Sequence, residues 1–383
     1  MLGAMLYVNA GKGHYVPAKA LADSLQRNGH TALTEDMFVA LNSPFWEFYC
    51  KFEWRFMLRH PKLERAFHAM DDNKFSAFLI RNISIRMHIK RDFLAWYEKT
   101  KPDFIVCTNF LGGNIITPIV QNLHLDIPVF CYAADAFNNP TAGYNPKIDC
   151  MYIPTFLGRD LLIKKGFAPE QVKVCAFPLQ STISRLAFLT RQEARKKLGL
   201  SNMFTILLNF GGEGIGNTEF LHEVVKHKLP WQIVVVGNLS DTTLSQFARF
   251  QEKHPEFTLH TPGFVTNIGE YIYSCDVQVG KAGANSLMES MALARPFLVS
   301  DLLYAARDTT TFLQKHQVGW TENHTSRQVD ILQQYYQNPN EQKAMEERFA
   351  SLPLTFDSDV FLQMLLEDTQ RFHSEKEVQQ YAP

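Results

Sequence analysis

The sequence predicts an α/β protein built of two doubly wound domains, and three observations carry that prediction. Short apolar, strand-like runs alternate with longer helical patterns, as expected of parallel sheets with crossover helices. The alternation pauses near residues 180–203 and then restarts, so two similar halves follow one another. At 383 residues and 46% apolar content, the chain is long enough for two domains with substantial cores.

The elements follow in order. MLYVNA (5–10) reads as a strand, and PAKALADSLQRNGH (17–30) as a helix opened by Pro17 at its first position and closing on Gly29. SPFWEFYCKFEWRFMLRHP (43–61) has a Ser N-cap, a Pro at the first helical position and a His-Pro stop. FIVCTNF (104–110), PVFCYAAD (128–135), CMYIP (150–154) and VKVCAFP (172–178) complete the strands of the first half. RQEARKKLGLSNM (191–203) is polar and ends in a Gly/Ser/Asn break. FTILLNF (204–210), WQIVVVGN (231–238), FTLHTPGF (257–264), DVQVG (276–280) and PFLVSD (296–301) are the strands of the second half. The stretch DSDVFLQMLLEDTQRFHSEK is one amphipathic helix.

Composition narrows the function classes. A formal net charge of −1 gives no global field for nucleic acid. The cysteines at 50, 107, 131, 150, 175 and 275 stand singly without a C-x-x-C pair, which reads as buried thiols in a reducing compartment. There is no basic leader and no run of 18 apolar residues, so a cytoplasmic, soluble or peripheral protein is expected.

Residues 51–101 stand apart, with twelve Lys/Arg against six Asp/Glu. Phe45, Phe48, Tyr49, Phe52 and Phe56 share a helical face beside Trp46, and Lys51, Arg55 and Arg59 recur every four residues next to it. Such a face suits an anionic lipid surface. A core helix with a solvated basic edge has the same pattern, and the two readings stay open here.

Each half carries glycine-rich strand-to-helix turns, where backbone N–H groups and the helix dipole favour phosphate. NFGGEGIGN (209–217) and GKAGANSLMES (280–290) together suggest an extended phosphate-bearing ligand. A dinucleotide fingerprint is disfavoured because Gly11-x-Gly13 continues to Val16 instead of a third glycine, although Glu35 and Asp36 sit at the usual acidic distance, and no P-loop sequence is present. Asp357-Ser-Asp359, at the start of a late helix, reads as capping and first-turn charge; no metal is expected.

GKGHYVPAKALADSLQRNGH, NFGGEG, VVVGN, PGFVTNIGEY and GKAGANSLMESMALARPFLVSD, in that order, resemble monogalactosyldiacylglycerol synthases and bacterial processive diacylglycerol glucosyltransferases. More distantly they resemble the N-acetylglucosaminyltransferase acting on lipid-linked muramyl pentapeptide. The resemblance covers nearly the whole chain. It implies the GT-B fold, two facing Rossmann-like domains with a cleft between them. The implied division is an acceptor domain over 1–183, a nucleotide-sugar domain over 184–350, and a C-terminal helix over 355–375 that packs back on the first.

The resemblance also implies roles. Asn209, Gly211, Gly212, Glu213 and Gly214 look like the first donor loop, and Gly237 and Asn238 like the turn after the next strand. Phe264 and Val265 sit where the family holds uracil by its backbone. Lys281 and Gly283, followed by Asn285 and Ser286, resemble the turn whose helix faces the diphosphate. Glu289 matches the acid that grips the ribose, although Ser286-x-x-Glu289 also reads as a capping box. Gly13 and His14 line the first glycine turn, with His14 as the base that takes the acceptor hydroxyl's proton; the adjacent helix N-terminus would keep its ring neutral. Asp135 matches a family carboxylate that would orient or assist His14.

The implied activity is inverting transfer of a sugar from a UDP-sugar to a lipid hydroxyl, by a peripheral protein on the cytoplasmic face of the cell membrane. No cofactor is implied, and the oligomeric state is left open. The family's Gly-Gln-Glu-Ala-Gly-Asn run is replaced here by 305–310, where Arg307 and Asp308 stand, so Arg307 becomes a candidate contact for an acidic sugar or the diphosphate. Asn139 replaces a family histidine, and Ala176 a family glycine. A UDP-sugar epimerase or hydrolase, or a UDP-sugar-binding protein with altered chemistry, are the alternatives.

Overall fold

The computed structural model describes the backbone of all residues except 10–12, 87, 213, 215, 302–306, 382 and 383. Side chains at 54, 55, 57–59, 61, 62, 67, 71, 83–86, 187 and 379–381 also lie outside the description. The chain forms two units, Met1–Ser181 with Leu354–Pro383, and Thr182–Pro353.

The first unit holds β1 (Leu2–Tyr7), β2 (Thr31–Asp36), β3 (Phe104–Cys107), β4 (Val129–Tyr132), β5 (Cys150–Ile153) and β6 (Val172–Val174). They form a wholly parallel sheet in the order β2-β1-β3-β4-β5-β6. The central strands β3, β4 and β5 are short apolar runs buried on both faces, as a helix-covered parallel sheet requires, while the edge strands β2 and β6 are partly polar and partly exposed. Alternate side chains feed opposite cores. Leu6, Ile105, Cys107, Val129 and Cys131 pack towards Ile89, Phe93 and Trp96 of the inserted helices. Met5, Phe104, Val106, Phe130 and Tyr132 pack towards the helix Tyr15–Arg27 and towards Phe361, Leu362 and Leu365.

The expected helix over 17–30 spans Tyr15–Arg27, and Pro17 is its third residue. First-turn N–H groups have no intrahelical partner, so proline is tolerated anywhere in that turn. The 43–61 pattern forms the helix Pro44–Arg59. Its predicted cap is not made by the side chain, because the buried Ser43 hydroxyl has no hydrogen-bond partner. Three more helices follow before β3: Pro61–Asp71, Lys74–Arg86 and Ile89–Thr100. They are fastened to the sheet layer by polar contacts. Trp96 donates to Glu35 at 2.7 Å, and Asn114 donates to the carbonyls of Ala77 and Ala142 at 2.7 and 2.8 Å.

The helix Ser358–Tyr381 closes the first unit. Asp357 caps it, accepting from the N–H groups of Asp359 and Val360 at 2.8 and 3.2 Å. Asp359 accepts from Ser24 and, at 2.8 Å, from Arg27. Asp368 accepts from Tyr152 and, at 2.5 Å, from Lys173.

The second unit holds β7 (Phe204–Asn209), β8 (Trp231–Val236), β9 (Leu259–Gly263), β10 (Val277–Lys281), β11 (Phe297–Asp301) and β12 (Gly319–Thr321). They form a second parallel sheet in the order β12-β11-β10-β7-β8-β9. In this order the connections from β7 and β10 leave towards opposite edges, which makes the crevice above them the switch point where ligands bind in open α/β sheets.

Phe361 is fully buried against Tyr132 and Tyr152, with ring centroids 5.5 and 5.0 Å away. Phe361→Ala leaves a cavity there and is expected to cost about 3–5 kcal/mol, read as a lower denaturant midpoint for the first unit.

Candidate active site

In the first unit, three loops follow the carboxyl ends of neighbouring strands β1, β3 and β4. His14 caps the helix after β1, half-buried, and makes no side-chain cap bond to that helix. Its ring turns to the loop after β3. Nδ1 lies 2.8 Å from the carbonyl oxygen of Thr108, so Nδ1 carries the proton and donates. Thr108 answers by donating its hydroxyl to the His14 carbonyl at 2.7 Å. Nε2 lies 3.0 Å from Nδ2 of Asn109. The Asn109 oxygen is occupied, because it accepts from Leu111 N–H at 2.9 Å as the cap of the helix Phe110–Asn122. The amide group therefore faces Nε2, whose lone pair is the acceptor.

Burial lowers the His14 pKa, the charge of Asp135 opposes this, and the Thr108 hydrogen bond raises it to a lesser degree. Desolvation, which disfavours the charged ring, is the largest of these causes. The orienting partner differs from the expected one. Among the described residues no hydrogen bond joins His14 to Asp135; the Thr108 carbonyl fixes the ring, and Asp135, exposed after β4, acts through its charge. The turn carrying Asp135 places Ala136 in the left-handed region at φ +58°, held by Thr155 donating to its carbonyl at 2.8 Å. Gly13 is exposed with open space where a Cβ would stand, while Gly11 and Lys12 lie outside the described residues. Asn139 is buried, and its carbonyl accepts from Lys165 at 2.7 Å.

In the second unit the loop after β7 folds onto the end of β8. Gly211, Gly214 and Gly237 all have positive φ, at +65°, +67° and +140°. A Cβ on Gly214 would stand 2.1 Å from the Asn238 oxygen, and one on Gly237 2.8 Å from the Gly211 oxygen. Asn238 N–H donates to the Gly211 carbonyl at 3.0 Å, which joins the two loops. Gly212 has open space around it, and Glu213 lies outside the described residues. Asn209 organises this turn, accepting from Gly211 N–H at 3.0 Å while donating to Ser286 at 2.9 Å. Gln278 donates to the same hydroxyl at 2.6 Å.

The helix after β10 spans Ala284–Ala292 with Gly283 as its cap. Ser286 therefore lies inside the first turn and does not cap it, which removes the capping-box reading of Ser286 and Glu289. Glu289 is 7% exposed, and burial alone raises its pKa to about 7. No hydrogen bond to its carboxyl is found among the described residues. A buried carboxyl without a protein partner, one turn below a serine that already accepts twice, is suited to a ligand's hydroxyl pair.

A pocket of about 190 Å³ opens above β7, β10 and β11. Asn209 and Lys281 line it together with Asn217, Ser300, Asp301 and Gln328. Those last four carry no role in the sequence motifs: Asn217 lies in the loop after β7, Ser300 and Asp301 end β11, and Gln328 lies on the helix Thr325–Tyr336. Phe264 is 59% exposed just after Gly263, and Val265 beside it is half-buried. Arg307 and Asp308 open the helix Arg307–His316, with Arg307 Nε 3.9 Å from the Asp308 carboxylate.

The aromatic segment resolves into two faces. Phe45, Phe48, Tyr49 and Phe52 are 61%, 69%, 40% and 55% exposed, and the next helices add Met70, Phe75 and Phe78 as exposed residues. Trp46 differs from expectation, packing against the core and stacking on Phe38 at 6.3 Å. Lys51 is half-buried and paired with Glu47 at 2.5 Å, so it does not belong to a free basic edge. The side chains of Arg55 and Arg59 lie outside the described residues.

No protein-family model matches the chain. In sequence it is similar to the processive diacylglycerol beta-glucosyltransferase of Bacillus pumilus, 24% identical over 95% of this chain and 94% of that one. It is also similar to monogalactosyldiacylglycerol synthase 2 of Arabidopsis thaliana, 22% identical over 78% of this chain. That match spans 66% of the plant protein, about two thirds of its length. Among solved structures, the chain superposes on Neisseria meningitidis UDP-GlcNAc 2-epimerase bound to UDP-GlcNAc with a TM-score of 0.61 at 12% identity, covering 97% and 100% of the two chains. Acinetobacter baumannii MurG gives 0.59 at 12% identity over 97% and 99%, and Anabaena HepE in complex with UDP gives 0.56 at 12% over 97% and 100%. The fold of this chain is GT-B, and its sequence relatives are of the type that the motifs resemble.

The Glu289 carboxyl makes a signed prediction. Its pKa is raised in the folded state, so its ionisation costs stability progressively as pH rises from about 4.5 to about 7, and fully above that. Glu289→Gln is expected to unfold at higher denaturant than the parent at pH 8, by up to about 3 kcal/mol, with the gain vanishing towards pH 4.

Proposed function

We propose that this protein is an inverting glycosyltransferase that moves a sugar from a UDP-sugar to a hydroxyl of a diacylglycerol-type lipid. The observation that carries the reading is His14, a neutral histidine with Nδ1 protonated and Nε2 available as acceptor, on a GT-B fold whose sequence relatives are named as glycolipid synthases. UDP as the carrier is supported by the UDP complexes of structural neighbours and by the unpartnered buried Glu289 beside the glycine loops.

The chemistry assigns each group one task. The acceptor hydroxyl gives its proton to His14 Nε2 as its oxygen forms the new bond to C1 of the sugar. The bond from C1 to the diphosphate oxygen breaks, and UDP leaves with the electron pair on the opposite face. Backbone N–H groups of the loop after β7, the helix beginning at Ala284 and Lys281 supply positive potential to the departing diphosphate, so no metal is required. Glu289 takes the ribose hydroxyls, and the Phe264–Val265 backbone the base. The resulting imidazolium is stabilised by the charge of Asp135.

The exposed aromatics on the inserted helices are the membrane-facing surface in this reading, serving a peripheral protein at the cytoplasmic face of the membrane. Exposed Phe45, Phe48, Phe52, Phe75 and Phe78 on one insertion exceed what a surface needs for solubility.

Two outcomes test the reading. His14→Ala is expected to abolish transfer, a loss of at least about a hundredfold for a general base, while UDP affinity by calorimetry stays unchanged; collapse of UDP binding would place His14 in the nucleotide site instead. The double variant Phe48→Ser with Phe52→Ser is expected to lose co-sedimentation with phosphatidylglycerol vesicles at unchanged melting temperature. Undiminished vesicle binding would remove this face from the lipid-binding surface.

A further inference from the structure

Asn109 lies on the loop after β3, is 5% exposed, and was not singled out by its sequence context. Two fixed contacts determine how its carboxamide stands. The oxygen accepts from Leu111 N–H at 2.9 Å, and the nitrogen faces His14 Nε2 at 3.0 Å. Exchanging the two amide atoms would put an oxygen against the Nε2 lone pair and an N–H₂ against a backbone N–H. Both arrangements are repulsive, so the helix cap holds the amide in one orientation.

We propose that Asn109 is a positioning residue for the base. Its N–H₂ group holds the Nε2 lone pair of His14, keeps that nitrogen free of a proton, and is displaced when an acceptor hydroxyl arrives. Together with the Thr108 carbonyl at Nδ1, it selects one tautomer from both ends of the ring. A proton on Nε2 would face the amide's own N–H groups, so the free protein resists protonation at the nitrogen that must later accept. When a hydroxyl replaces the amide as donor to Nε2, that repulsion is relieved and proton transfer becomes favourable. The device thus discriminates against protonation from solvent and favours protonation by a bound alcohol.

The groups around the ring are consistent with this assignment. Asp135, after β4, is the charged group acting on it among the described residues, and it favours the protonated ring. Tyr15, next in the chain, and Tyr7, at the end of β1, pack edge-on against each other at 5.1 Å. Burial outweighs the pull of Asp135 on the ring, and the Asn109 amide at Nε2 places a donor there that opposes protonation as well.

This inference rests on the reading of His14 as the base, and the experiment separates the two. The variants are Asn109→Asp and Asn109→Ser in the full chain, since both side chains cap helices well and so retain the contact to Leu111. ¹⁵N-resolved NMR of the His14 imidazole follows tautomer and pKa, and kcat/KM against pH is measured on UDP-glucose with diacylglycerol. In the parent, Nδ1 is protonated and Nε2 bare at pH 7. Asn109→Asp replaces donor by acceptor and is expected to raise the His14 pKa by about one pH unit or more. Asn109→Ser, which leaves Nε2 without a donor, is expected to raise it less, and the acid limb of the activity profile shifts with each. An unchanged tautomer and pKa in both folded variants would reduce Asn109 to a helix cap and overturn the proposal. If the imidazole shifts as expected while His14→Ala retains activity, control of the ring by Asn109 stands and the base assignment fails.

Discussion

The reciprocal pair of hydrogen bonds between His14 and Thr108, 2.8 Å from ring to carbonyl and 2.7 Å from hydroxyl to carbonyl, is the contact on which the proposed chemistry of the first unit depends. It exists because β1 and β3 are neighbours in the sheet, although about a hundred residues separate them in the chain. A parallel sheet delivers the backbone of adjacent strands to the same edge. The loop after one strand can therefore clasp the loop after the other. The clasp satisfies the His14 carbonyl, protonates Nδ1 and leaves the second ring nitrogen as an acceptor. The helices inserted between β2 and β3, from Met37 to Thr100, lengthen the chain between the clasped loops without disturbing that adjacency, and carry the exposed aromatics on the same unit.

The second unit solves a different problem with the same architecture. An extended anionic ligand needs backbone N–H groups at close range, and side chains on the approaching loops would prevent it. Gly214 and Gly237 are required by geometry, since each lies at positive φ and a Cβ would collide with the neighbouring loop. The polar chain Asn209–Ser286–Gln278 sets the height of the first loop over the helix that follows β10. Glu289 is left with its carboxyl buried and, among the described residues, without a hydrogen-bond partner, a costly arrangement that a ligand's hydroxyl groups would relieve under the proposed function.

Much of this was legible in the sequence, and what was missed has a common cause. Strand and helix alternation identifies ten of the twelve strands because period and turn chemistry are local; β2, with the sequence TALTED, and the three-residue β12 present no apolar run and were missed. The glycine turns likewise announce themselves. Thr108 and Asn109 were invisible as partners of His14 because their roles arise from strand order, which no local pattern encodes. The orientation of the aromatic helix was half legible: the spacing showed a stripe, but Trp46 and Lys51 turned inwards because Phe38 and Glu47 lie on that side. Ser286 and Glu289 fit a capping box in spacing, and only the start of the helix at Ala284 settles the matter. Asn217 ends the glycine turn 209–217, Ser300 and Asp301 end β11, and Gln328 lies on a later helix; only the strand order brings the four to one pocket.

The proposed activity is direct transfer of a sugar from a UDP-sugar to a lipid hydroxyl. It is tested most directly by following UDP and both sugar products in one reaction, with UDP-α-glucose and diacylglycerol-containing vesicles, and reading the anomeric configuration by NMR. The account predicts equal amounts of UDP and β-linked glycolipid, with negligible UDP release when diacylglycerol is omitted. UDP release that is independent of the lipid and accompanied by free sugar, or an α-linked product, would contradict it.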